Sequence, residues 1–221
     1  MESLIENFFN LKIMSEAFPL LLRGLGMTLL LCLAVIPLGL MGGLGVALMA
    51  RTKITPLRWL VIGLIDFFRA VPPLVLLIFI YSGLPFAGIH LSPFVTVCVG
   101  FLLNNSAYYA EIYRAGIESI GAGQMEAARS TGLSSTQAMI HIILPQATRN
   151  VLPDLLGNTV EVVKMTSIAS VVALQELLYS ADMARSISYN PSPIVLAAGM
   201  YLIILWPSVR LLSRLEHRVG Q

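Results

Sequence analysis

Residues 24–50 read GLGMTLLLCLAVIPLGLMGGLGVALMA, and no charged residue falls between Arg23 and Arg51. As a helix rising 1.5 Å per residue, this run is about 40 Å long, enough to cross a hydrocarbon layer of ~30 Å. The surrounding chain is of the same kind: of 221 residues, 57% are hydrophobic and 12% charged, with a mean hydropathy of +0.81. Soluble domains carry about a quarter of their residues as charges, so this composition is that of an integral membrane protein. Pro37 is expected to kink the first span, and Gly39 and Gly43 form a G-x-x-x-G face that lets another helix approach closely.

Working outward, no charge occurs between Ala70 and Ala110, and the turn-rich SGLPFAGIHLSP at 82–93 divides that stretch into spans near 60–81 and 93–113. A fourth span is expected over about 151–174 and a fifth over about 193–209, with Trp59 and Trp206 as interfacial anchors. Asp66 and Arg69, three residues apart on the second span, are placed to pair near the water boundary. The expected fold class is all-α and polytopic, about five transmembrane helices in a single domain over residues 1–221. Arg51, Lys53 and Arg58 in the first loop, Arg114, Arg129 and Arg149 in the long one, and Arg210, Arg214 and Arg218 at the C-terminus outnumber Lys12, Arg23 and Arg185 on the other side. The positive-inside rule then puts the N-terminus outside and the C-terminus in the cytoplasm. The start, MESLIENFFN, is acidic and no small-residue cleavage site follows, so no cleaved signal peptide is expected.

Several function classes drop out. A net charge of +2 with scattered Lys and Arg argues against a nucleic-acid partner. Cys32 and Cys98 sit inside apolar runs and read as small buried hydrophobes. His90, His141 and His217 have no neighbours at ligand spacing, so no metal site is expected. The chain has no G-x-x-x-x-G-K-[ST] phosphate loop and no Ser, His and Asp set in a catalytic context, so it is not expected to be an enzyme or to bind a cofactor.

Between the third and fourth spans lies a polar interruption, GQMEAARSTGLSSTQAMIHIILPQATRN at 123–150. Its first part reads as a helix of about two turns ending at a glycine cap, Gly132, with Glu126 near the start and Ala127 and Ala128 forming a smooth flank. Ser134 and Gln137 form a capping box that starts a second helix, running through Leu144 and closed by Pro145. An isolated helix this short is marginal in water, so the loop must dock, either on its own bundle or on another protein.

The spacing within EAARSTGLSSTQAMIHIILP resembles the E-A-A loop of permease subunits of bacterial ABC importers. FFRAVPPLV at 67–75, SAYYAEIYRAGIESI at 106–120 and VKMTSIASV at 163–171 are similar to segments of the polar amino-acid and opine group, the histidine, glutamine, glutamate and arginine permeases. The resemblance covers nearly all of the chain after Arg23. It implies a coupling helix docked on a separate cytoplasmic ATPase, with Glu126, Ala127, Ala128 and Gly132 as the knob and Leu144 and Pro145 setting the return angle. It further implies two such ATPase subunits carrying ATP and Mg, a second permease, identical or related, and an extracytoplasmic amino-acid-binding protein, all at a bacterial inner membrane. The expected function is ATP-driven amino-acid import through a multi-pass subunit surrounded by membrane lipid.

Candidate substrate-path residues are Glu161, Lys164, Thr166 and Ser167 in the fourth span, where ionisable groups need partners or a watery cavity. Glu161 and Lys164 either neutralise each other or offer both signs to a zwitterion. Their presence also motivates an alternative, a secondary transporter or channel subunit driven by an ion gradient. Asn104 and Tyr108 in the third span form a second polar group beside Asn105, for which hydrogen bonding between helices is the competing role. Met165 stands where the resembling permeases commonly carry Asp, which removes support for a basic amino acid as substrate.

Overall fold

A computed structural model describes residues 6–219, except the side chains at 211 and 215–219. His217 and Arg218 therefore lie outside the described side chains. Every element among the described residues is helical. Helix α1 spans Leu11–Met49, α2 Thr55–Ala70, α3 Pro73–Gly83 with a 3-10 turn at Leu84–Ala87, and α4 Pro93–Glu118. The polar loop holds α5 (Ala122–Ser130), α6 (Ser135–Ala138), a π-helical turn at Met139–Ile143 and α7 (Leu144–Asn150). Then come α8 (Leu152–Met165) with a 3-10 continuation at Thr166–Val172, α9 (Leu177–Ser188) and α10 (Ser192–Val219).

Three of these segments are long and apolar enough to cross a membrane: the first through Met49, Leu152–Val172 and Ser192–Arg214. Helices α2 and α3 make a fourth if taken as one broken span. Helix α4 has 26 residues, ample length, but carries Glu111, Arg114 and Glu118 towards its end.

The structure differs from the sequence expectation at several points. Helix α1 starts at Leu11, well before Arg23, because the Asn10 side chain accepts the Ile13 N–H at 3.2 Å and caps it. The single span expected near 60–81 is two helices. Val71 is extended, at φ −76° and ψ 123°, as a residue before proline prefers, and neither Pro72 nor Pro73 can donate to the preceding turn. Asp66 is exposed and is not the partner of Arg69, which reaches Glu111 on α4 at 3.5 Å. Pro145 does not close a helix but sits in the first turn of α7, where its missing N–H is tolerated. Between the expected fourth and fifth spans lies a further helix, α9.

The chain divides into two compact units, one of residues 1–36, 72–101 and 160–211, the other of 37–71, 102–159 and 212–221. In the first, Ala17 and Leu21 of α1 pack with Leu177, Ala181 and Ala184 of α9 and Ala197 and Met200 of α10. In the second, the glycine face of α1 meets α4. A Cβ on Gly43 would lie 2.4 Å from the Tyr109 Cβ, and one on Gly39 3.1 Å from the Tyr109 ring. Tyr109 is fully buried, and its hydroxyl bonds the Thr159 hydroxyl at 2.8 Å. The expected G-x-x-x-G packing face is therefore present.

Candidate functional site

The polar loop is ordered by its own sequence. Gly132, at φ +91°, takes the left-handed conformation that ends α5 with little strain for glycine alone. The capping box forms in both directions: the Ser134 hydroxyl accepts the Gln137 N–H at 3.2 Å, and the Gln137 side chain accepts the Ser134 N–H at 2.9 Å. Glu126 stands in the middle of α5, not in its first turn, so the helix dipole contributes little to its placement.

The loop also folds back on α4. Ile117 there is buried with Ile143 and Ala147, and Met125, Met139 and Leu144 pack around them. A Cβ on Gly116 would come within 2.9 Å of the Ala147 carbonyl, and the Asn150 amide donates to the Ser119 hydroxyl at 3.0 Å. Ala128 is buried, so it faces inward, whereas Glu126, Ala127, Gly132 and Pro145 are exposed. Ile140, 52% exposed on the π turn, adds an apolar side chain to the outer surface of the loop. Sequence reading missed Ile140, since a π turn has no compositional mark.

The polar set at the end of α8 falls where the α-helix tightens to 3-10. The hydroxyls of Thr166, Ser167 and Ser170 donate to the carbonyls three residues back, on Val163, Lys164 and Ser167, at 2.7, 2.8 and 2.9 Å. Lys164 and Glu161 form an ion pair between exposed side chains. Thr166 is fully buried while Ser167 and Ser170 are half-buried, so the accessible polar groups here are the ion pair and these two serines.

Asn104 and Tyr108 are tied to the end of α2. The Asn104 amide donates to the Phe68 carbonyl at 2.9 Å, and the Tyr108 hydroxyl to the Arg69 carbonyl at 3.2 Å. The Arg69 guanidinium lies over the Tyr108 ring, 5.7 Å from its centre. Glu111 then joins Arg69 and Arg114, and Arg114 reaches Glu118 at 3.0 Å, a row of alternating charges.

One buried carboxylate escaped the sequence reading. Glu176 is fully buried and caps α9, accepting the Leu178 and Tyr179 N–H groups at 2.9 and 2.7 Å and the Tyr201 hydroxyl at 2.9 Å. The Thr28 hydroxyl accepts the Leu177 N–H at 3.1 Å and donates to the Gly24 carbonyl at 3.2 Å, so α1, α9 and α10 meet through hydrogen bonds.

Residues 36–221 match the family model described as the inner membrane component of binding-protein-dependent transport systems. The chain belongs to that family. A probable amino-acid ABC transporter permease of Bacillus subtilis (strain 168) is 42% identical over 80% of this chain and 78% of its own length. A probable glutamine ABC transporter permease of the same organism is 37% identical over 89% and 91%. A crystal structure of an amino acid ABC transporter with histidines has a TM-score of 0.84 at 36% identity, covering 93% of this chain and 96% of that one. The methionine ABC transporter MetNI, inward facing, shares the fold at a TM-score of 0.77 and 19% identity, covering 92% and 98%. The protein is a multi-pass inner-membrane permease subunit of an ABC importer.

Proposed function

We propose that this permease imports amino acids, one permease of a pair, driven by ATP and Mg bound on two separate cytoplasmic ATPase subunits and supplied by an extracytoplasmic amino-acid-binding protein. The substrate class rests on the relatives, several of which are amino-acid permeases by name. The observation that carries the coupling role is the loop itself. Its helices are capped and seated on α4 by Ile117, Ile143 and Ala147, and they leave Glu126, Ala127 and Gly132 exposed as a stiff knob. Leu144 and Pro145 carry its motion into α7 and then α8. A single membrane domain of five spans, N-terminus outside, uses α1, the broken pair α2 and α3, α4, α8 with its 3-10 extension, and α10. The path for substrate runs past Glu161, Lys164, Thr166 and Ser167, with Asn104 and Tyr108 as the second polar group.

The test is uptake of labelled amino acids into vesicles holding the permease with its ATPase and binding protein. Uptake should require ATP, and Gly132→Asp or Ala127→Trp should abolish it while lowering the ATPase recovered with a normally inserted permease. Uptake that continues without ATP and collapses with the proton gradient would overturn the reading, as would undiminished ATPase recovery with both variants.

A further inference from the structure

Three helices of the second unit, α1, α2 and α4, enclose two neighbouring cavities. One, of about 300 Å³, is lined by Val46 and Met49 of α1, Val61 and Ile65 of α2, and Leu102 and Ala107 of α4. The other, of about 400 Å³, lies further along the same helices, at Ala50 and Arg51, at Arg58, Trp59 and Ile62, and at Arg114 and Glu118. Met49 adjoins Ala50, Val61 adjoins Ile62, and Arg114 stands two helical turns beyond Ala107. The two cavities therefore follow one another along the groove between the same three helices, the first apolar and the second carrying the basic side chains.

The charges at the basic end do not cancel. Arg114 is held by Glu111 and Glu118, but Arg51 and Arg58 are exposed and have no carboxylate partner among the described residues. Trp59, 65% exposed and lining the same cavity, is the residue type that settles at the boundary of headgroup and hydrocarbon. We propose that this groove binds an anionic phospholipid, an acyl chain lying along Val46, Val61 and Leu102 and the phosphate held by Arg51 and Arg58 beside Trp59. A zwitterionic lipid fits the apolar end equally but carries a compensating cation to the basic end. A free phosphate uses the arginines and leaves the apolar cavity without function. Near an anionic membrane surface each arginine favours the anionic lipid about fivefold.

The permease in complex with its ATPase is reconstituted in nanodiscs of phosphatidylcholine and phosphatidylglycerol, with bromine on the acyl chains of one lipid or the other. Trp59 fluorescence is read as the difference between the wild type and Trp59→Phe. Brominated phosphatidylglycerol should quench at least about fivefold more per lipid than brominated phosphatidylcholine. Arg51→Gln with Arg58→Gln should bring that ratio to within about twofold of one, and Arg51→Lys with Arg58→Lys should keep it. Equal quenching by the two lipids in the wild type, or a ratio that survives the glutamine pair, overturns the proposal. Loss of the preference on adding inorganic phosphate at constant ionic strength assigns the arginines to a soluble anion. Quenching by neither lipid means that protein covers the groove. Either of these results also overturns the proposal.

Discussion

Gly43→Ala tests whether the glycine face of α1 sets the spacing of the second unit. The added Cβ would lie 2.4 Å from the Tyr109 Cβ and 3.1 Å from both the Ala110 nitrogen and the Tyr109 carbonyl carbon. Carbon atoms rest about 3.5–4.0 Å apart, so the intrusion is of order 1 Å, and it meets main chain and a Cβ rather than a flexible tip. The helices must part, at about 1–3 kcal/mol for overpacking, with roughly another 0.5–1.5 kcal/mol if Tyr109 loses Thr159. Helix propensity returns about 1 kcal/mol to any glycine replaced by alanine. Gly45→Ala shares that gain, and its Cβ would meet nothing within 4 Å, so it serves as the control. The difference between the two variants is about 1–4 kcal/mol, or several degrees at roughly 2–4 °C per kcal/mol for a chain of this size. Monodisperse protein remaining after heating the detergent-solubilised complex gives both midpoints. Gly43→Ala melting together with Gly45→Ala would refute close packing at this face.

Glu176→Ala leaves two N–H groups of α9 and the Tyr201 hydroxyl without their acceptor, and should lower the same midpoint by the equivalent of about 2–4 kcal/mol, whereas Glu176→Gln, which keeps an acceptor oxygen, should lose less than half of that. Alanine as stable as glutamine at this position would contradict the capping role. Asn104→Ala should cost about 1–3 kcal/mol by leaving the Phe68 carbonyl without a donor, and Pro72→Ala, by restoring a backbone N–H there, should shrink that cost. An unchanged cost in the Pro72→Ala background would show that Asn104 acts by other contacts.

The features legible in the sequence are those written locally. A charge-free run, a capping box and a glycine before a new helix each depend on residues within a few positions, and the structure has the α1 span, the Ser134 and Gln137 pair and the Gly132 cap. What could not be read depends on distant partners. Glutamate is an uncommon cap, and Glu176 is tolerated in the interior because Tyr201 and the first turn of α9 converge on it from two parts of the chain. Helix α9 itself is too short and too polar to register as a span, and after Leu177 its buried face is made of Ser180, Ala181 and Ala184, small residues that carry little hydropathy. The inward side of α5 was invisible for the same reason, since Ala127 and Ala128 differ only in what lies opposite them.

The Pro72 and Asn104 pair shows how one such dependence shapes the candidate path. In a continuous helix the Phe68 carbonyl accepts from the N–H of residue 72, and the Arg69 carbonyl from that of residue 73. Both are prolines, so breaking the span there strands two adjacent acceptors inside a membrane protein, where unpaired carbonyls are costly. Asn104 and Tyr108, four residues apart and hence on one face of α4, donate to those two carbonyls in the same order. The side chains that look like a polar lining are therefore what makes the break in α2 affordable, and a substrate drawing on them would have to compete with the backbone. Arg69, stacked on Tyr108 and drawn to Glu111, is held at the same place, so the end of α2 is fixed to α4 by main-chain and side-chain contacts together. Beside the Asn158 amide nitrogen on α8, the buried polar atoms of this unit that find no partner among the described residues are the Asn104 carbonyl oxygen, the Asn105 amide nitrogen and the Ser106 hydroxyl.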